Sequence, residues 1–209
     1  HHVEALDLVD DELLDGAPGI PALVEKLDLP FFAQLHARSV TEKTADWLRH
    51  ARCGGVKMGA ESGADAVLRR LAKGTKAAEI QTAVQRLVQR EIPAILTFML
   101  GTPAETAAEL SATVEFAAKL ASISSKVLCR FGHFTPYPGT RLWKKSLSRG
   151  FLAPQSAAEW ARLDPGRPQV PWVPHDDLIN LTRRLNEQFY FGRVMHNWGP
   201  NGEVLTAVA

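Results

Sequence analysis

The stretch Ile92-Pro93-Ala94-Ile95-Leu96-Thr97-Phe98-Met99-Leu100-Gly101-Thr102-Pro103-Ala104-Glu105 decides the fold. Ala94 to Leu100 is apolar at both alternating sets of positions, which predicts a strand buried on both faces, as in a parallel sheet. Pro93 ends the helix before it. Behind it, Thr102, Pro103 and Glu105 have the order of a helix start: a capping hydroxyl, proline at the first helical position and an acid three residues on.

The same alternation extends both ways. Upstream, Ile80, Ala83, Val84, Leu87 and Val88 have the three-four spacing of one buried helix face, with Thr75 as the expected cap. Before that, Val56–Ala60 reads as a strand and 64–72 as a helix stopped by Gly74. Thr41 opens a helix to about Arg52, broken by Gly54-Gly55. Residues 31–37 and 3–9 read as strands, with a helix over 20–27 between them. Downstream come a helix over 105–121, a strand over 126–132, and a short helix to Ser148. Strand and helix in strict alternation predict an α/β fold, a parallel sheet with helical crossovers. From Gly150 the prolines 154, 165, 168, 171 and 174 interrupt regular structure, until a last helix over 176–191. The expected division is 1–150 as the sheet domain and 151–209 as an irregular and helical extension.

Composition narrows the function. The 209 residues are 45% hydrophobic and 22% charged, and 24 Lys and Arg against 23 Asp and Glu leave a net charge of +1. That balance speaks against a nucleic-acid partner or an anionic membrane surface. No apolar run approaches the roughly 20 residues that span a bilayer. The two cysteines, Cys53 and Cys129, make neither a disulfide scaffold nor a four-cysteine metal site. The expectation is a cytoplasmic protein acting on a small molecule.

Parallel α/β folds bind ligands at the carboxyl ends of their strands. Those ends carry Asp10 and Asp11; His36 and Arg38; Glu61, Ser62 and Gly63; Gly101, Thr102, Pro103 and Glu105; and His133 with the Tyr137 turn. Each has a bland reading. Thr102 to Glu105 and Ser62 to Asp65 can simply cap helices, Asp10-Asp11 can be a solvated loop pair, and lone histidines are more often packed than catalytic. Glu61 is harder to dismiss, because it stands between an apolar strand and a cap, where a carboxylate suits an amine or ribose hydroxyls.

Together these strand ends resemble the radical S-adenosylmethionine (SAM) enzymes. Gly59-Ala60-Glu61-Ser62-Gly63, then Val67-Leu68 and Lys73-Gly74, is similar to that family's G-x-E-S-G, V-L, K-G series. Gly101-Thr102-Pro103-Ala104-Glu105-Thr106 is similar to its G-L-P-G-E-T turn, with Thr102 for Leu and Ala104 for Gly. Thr135-Pro136-Tyr137-Pro138-Gly139-Thr140 with Leu142 is similar to its P-Y-P-G-T-x-L, and Val9-Asp10-Asp11 to its D-D strand end. Gly150, Trp160 and Phe189-Tyr190 resemble the tail of the subgroup that carries a cobalamin-binding domain upstream.

The resemblance implies a partial (β/α)6 barrel, lacking its first βα unit here, and a four-iron–four-sulfur cluster that cleaves SAM to a 5′-deoxyadenosyl radical. It places Glu61 and Ser62 near the ribose and methionine, and Gly101, Thr102, Pro103 and Glu105 against the adenosine. Asp10 and Asp11 fall at the amino end, and Arg38 near the carboxylate. His36, His133 and Tyr137 are the substrate candidates, and no catalytic side chain or metal ligand is assigned. The departure is large: the family's C-x-x-x-C-x-x-C is absent, and two isolated cysteines cannot hold the cluster. Residue 1 is His, so the expectation is a C-terminal portion of a longer enzyme, inactive by itself. Its cluster ligands would lie upstream or on a separate chain, with cobalamin in the complete protein serving methyl transfer or ring formation. The alternative is a cluster-free adenosine-binding module or partner subunit. A strand over 3–9 without its outer neighbour predicts self-association.

Overall fold

The computed structural model describes residues 3–9, 19–162 and 170–193. Five strands, β1 (Leu6–Leu8), β2 (Phe31–Gln34), β3 (Cys53–Glu61), β4 (Ala94–Leu100) and β5 (Val127–His133), form one sheet. The order is β1-β2-β3-β4-β5 and every pairing is parallel. Helices α1 (Ile20–Leu27), α2 (Glu42–His50), α3 (Asp65–Leu71), α4 (Ala77–Gln89) and α5 (Ala107–Ile123) fill the crossovers. Each crossover advances one strand in the same direction. Right-handed connections then put the helices on one side, and the sheet is a sector of a barrel.

The helix side is the core. Met58, Leu96, Phe98, Cys129 and Phe131 point into it and meet Leu87, Phe116, Ala117 and Leu120. Phe98 stacks on Phe131 with ring centres 5.2 Å apart and meets Phe116 edge-on. The opposite face is different near the strand ends. Lys57, Thr97 and Arg130 lie on it by alternation, and Thr97 and Arg130 are exposed.

Downstream, α6 (Trp143–Ser148) and α7 (Ala157–Trp160) carry a row of rings, Tyr137 on Trp160, Trp160 on Trp143, and Trp143 against Phe151. Helix α8 (His175–Asn186) continues as a π-helical turn, Glu187–Phe191. It brings Leu178, Leu185 and Phe189 into the same core as the sheet. It also covers the outer edge of β5. The Asn186 side chain accepts from Phe131 N–H at 2.7 Å and donates to Phe131 C=O at 2.9 Å, pairing as a neighbouring strand would. Arg193 donates to the carbonyls of Ser124 and Val127.

Four local expectations need correction. The strand over 3–9 is regular only at Leu6–Leu8. Gly54-Gly55 does not break the chain but lies inside β3, because the Phe32 ring packs against both glycines, 3.3 Å from where a Cβ would stand. Thr75 does not cap α4; Lys76 holds the cap position and its N–H donates to Glu79. The helix after β4 starts not at Glu105 but after Thr106, whose hydroxyl accepts from Glu109 N–H while Glu109 accepts from Thr106 N–H.

Candidate functional site

The carboxyl ends of β2, β3 and β4 form the candidate site, and β3 supplies its centre. At its end the register slips between Gly59 and Glu61, and Glu61 takes a left-handed backbone with φ of 62°. That turn lays the carboxylate back over Gly59, where Oε1 pairs with Lys73 Nζ at 2.7 Å. The Glu61 side chain keeps 12% of its surface exposed and Lys73 33%, so the pair sits at the rim and meets solvent. A Cβ on Gly59 would stand 2.5 Å from that carboxylate oxygen. The glycine-x-glutamate spacing and the distant Lys73-Gly74 are therefore one device.

Ser62 points the other way. It is fully buried, its hydroxyl shares a hydrogen bond of 2.7 Å with Thr113 of α5, and it accepts from Ala64 N–H. Gly63 N–H donates to the same Thr113 oxygen. This anchor holds the turn that presents Glu61. His36 does similar work at the end of β2: Nδ1 accepts from Arg38 N–H and Nε2 lies 3.1 Å from Lys73 C=O. With Nδ1 accepting, Nε2 carries the proton and donates. Arg38 is exposed, and its guanidinium lies over Gly74, 3.3 Å from where a Cβ would stand.

At the end of β4 a single carboxylate oxygen, Glu105 Oε2, accepts from both Gly101 N–H at 2.7 Å and Thr102 N–H at 3.0 Å. Burial pushes the Glu105 carboxyl above its ordinary range, against the pull of those two N–H groups. Half of the expected capping box thus forms. Thr102 Oγ1 and Glu105 Oε1 are buried without a partner among the described residues. Pro103 is buried beside them. The Trp172 indole donates to Gly101 C=O, and Leu178 stands 2.9 Å from where a Gly101 Cβ would be, so the extension roofs this strand end. His133 closes β5 opposite Leu100. Tyr137 is 49% exposed and stacks on Trp160. Asp10 and Asp11 lie outside the described residues.

The residues present fit a nucleoside and do not fit a cluster. Glu61 and Lys73 offer an acceptor and a cationic donor at a bare glycine floor, and at the end of the neighbouring strand Thr102 Oγ1 and Glu105 Oε1 are buried without a partner among the described residues. Cys53 lies at the start of β3 and donates to Gly55 C=O, while Cys129 faces α5 and donates to Ala117 C=O. Burial pushes both thiols up to about 12, so neither is a ready thiolate. Among the described residues no three His, Cys, Asp or Glu side chains gather to hold a metal, and no helix is long and apolar enough to cross a membrane.

Sequence reasoning missed Lys73 as a site residue and Thr113 altogether. The Lys-Gly motif marked the place of Lys73, and nothing in the sequence marked its partner.

No protein-family model matches the chain. An uncharacterized methyltransferase of Pyrococcus horikoshii is 30% identical over 166 residues, which cover 79% of this chain and 35% of that protein. The radical SAM methyltransferase TsrM of Kitasatospora setae, solved with cobalamin and a four-iron–four-sulfur cluster, aligns with a TM-score of 0.58 at 18% identity, over 72% of this chain and 32% of TsrM. The coproporphyrinogen III oxidase HemN of Escherichia coli, a radical SAM enzyme, aligns with a TM-score of 0.60 at 14% identity, over 88% of this chain and 41% of HemN. The chain spans about a third of the curated relative it matches. It has the fold of the radical SAM enzymes, as its strand-end motifs implied.

Proposed function

We propose that these residues form the SAM-facing sector of a radical SAM methyltransferase that carries cobalamin elsewhere in its length. The observation that carries this is the Glu61–Lys73 pair set over Gly59 at the end of β3, in a sheet of that fold. In this reading the Glu61 carboxylate accepts from the ribose hydroxyls and Lys73 fixes its direction. Ser62 holds the turn through Thr113. Arg38 takes the methionine carboxylate, and Asp10 and Asp11 its amino group. Gly101, Thr102, Pro103 and Glu105 form the wall against the adenosine. The methyltransferase name of the relative and the cobalamin of TsrM support the reaction class. The cluster thiolates come from outside these residues, on the preceding part of the enzyme or on a separate chain, and these residues alone do not cleave SAM.

The test is calorimetry with S-adenosylhomocysteine, which needs no cluster. The chain is expected to bind it saturably, and Glu61→Ala and Lys73→Met to weaken binding about tenfold or more. A folded chain that shows no saturable heat overturns the reading.

A further inference from the structure

We propose that the open face of the sheet binds the carboxylate of the substrate, with Arg130 as its receptor. The proposal deepens the reading above, since that face is where a substrate would lie beside the nucleoside.

A parallel sheet ordinarily buries both faces under apolar side chains. Here the face turned away from the helices is apolar low down, at Phe32, Ile95 and Leu128, which are all buried, and again at the half-buried Met99 near the mouth. Asp7 is level with Phe32 in register, and Gln34 and Lys57 share the row of Ile95 and Leu128; Thr97 and Arg130 stand one step above that row. Strands β4 and β5 set Thr97 opposite Arg130 in register, so a hydroxyl and a guanidinium stand side by side, one strand spacing of roughly 4.8 Å apart. Both side chains are exposed. One step toward the mouth on the same face is Gly132, opposite Met99. A Cβ there would meet nothing within 4 Å. The strand therefore leaves open space directly above its arginine.

Charge selects the occupant. Lys57 is neutralised by Asp7, Nζ to Oδ2 at 2.7 Å. Lys73 is neutralised by Glu61. Arg130 has no carboxylate within ion-pair distance among the described residues. Its guanidinium instead lies over the Tyr190 ring, 5.9 Å from the centroid, which orients the planar fork without using its donors. One uncompensated positive charge, presented flat and beside a hydroxyl, matches a single negative charge with two coplanar oxygens. A carboxylate meets that description through two parallel N–H···O bonds, whereas a phosphate dianion carries twice the charge of the one guanidinium.

The experiment uses the intact protein and follows the arginine side-chain N–H resonances, with the Arg130 signal assigned by its loss in Arg130→Gln. Benzoate is expected to shift that signal saturably, with affinity above that of inorganic phosphate. Arg130→Gln, and Gly132→Leu, which fills the space above, are each expected to weaken benzoate at least tenfold. Binding of 5′-deoxyadenosine, which has no carboxylate, should stay unchanged in Arg130→Gln. Unchanged benzoate affinity in either variant, absence of a saturable shift, or tighter binding of phosphate overturns the proposal. Loss of 5′-deoxyadenosine binding in the unsubstituted protein, with benzoate retained, leaves the carboxylate receptor standing and removes the nucleoside reading.

Discussion

Lys73 Nζ lies 2.7 Å from Glu61 Oε1, and the two close over Gly59, whose missing side chain makes room for them. The atom a Gly59 Cβ would meet is the far end of a flexible side chain, which can swing away. Gly59→Ala is therefore expected to cost less than about 1 kcal/mol of stability, in the range of a partly exposed ion pair. It should still weaken S-adenosylhomocysteine severalfold, because the carboxylate is displaced. Equal affinity in calorimetry would show that the position of Glu61 does not matter for binding.

Gly63 presents the contrary case. A Cβ there would stand 2.4 Å from Phe116 Cβ and 2.5 Å from Ala112 C=O, atoms fixed in helix α5. Gly63→Ala must push α5 from the sheet, and overpacking of this kind costs about 1–3 kcal/mol. Urea melts read the loss directly; a midpoint unmoved by the substitution contradicts the packing described here.

Ala104 holds φ of 65°, a left-handed conformation in which a Cβ is crowded. Ala104→Gly relieves that strain, partly offset by the greater freedom of glycine in the unfolded chain. A net gain of about 0.5–1 kcal/mol is expected, seen as a higher melting temperature. A lower one would mean that the turn tolerates alanine without strain.

Asn186 satisfies both peptide groups of Phe131. Asn186→Leu leaves those groups without their partner and should cost about 1–3 kcal/mol. It also uncovers a strand edge, so the variant is expected to self-associate in light scattering. A monodisperse variant of unchanged stability would show that the edge is protected by other contacts.

The bidentate bond from Arg70 holds the Glu109 carboxyl down to about 2, from an ordinary value of 4.5. A carboxyl with a depressed folded-state value adds stability that is complete above about pH 4.5 and is lost as pH falls toward 2. Thermal melts across that window should show a steep acid decline that Arg70→Met flattens. Parallel curves for the two proteins would assign the decline to other groups.

The order of elements was legible because local chemistry carries it. Ala94–Leu100 was recognisable as a buried strand from its apolar run, and the helix of Ile80, Ala83, Val84 and Leu87 from its three-four spacing, and both stand where the sequence put them. The Thr102–Glu105 turn misled, because two consecutive box patterns, from Thr102 to Glu105 and from Thr106 to Glu109, compete. Helix α5 follows the one whose hydroxyl reaches an N–H, while Thr102 Oγ1 is buried without a partner among the described residues.

By itself the sequence determined the alternating parallel architecture and the places of the strand-end motifs, since periodicity, proline and glycine act within a few residues of one another. Only the tertiary structure decided which motif residues face a ligand. Glu61 and Ser62 are neighbours in the chain, yet a left-handed turn sends one to the rim beside Lys73 and the other into the core beside Thr113. The same holds for Arg130, an ordinary charged residue in sequence. Its exposure, its open space and the absence of a carboxylate partner among the described residues come from strands and helices that only the folded sheet brings around it.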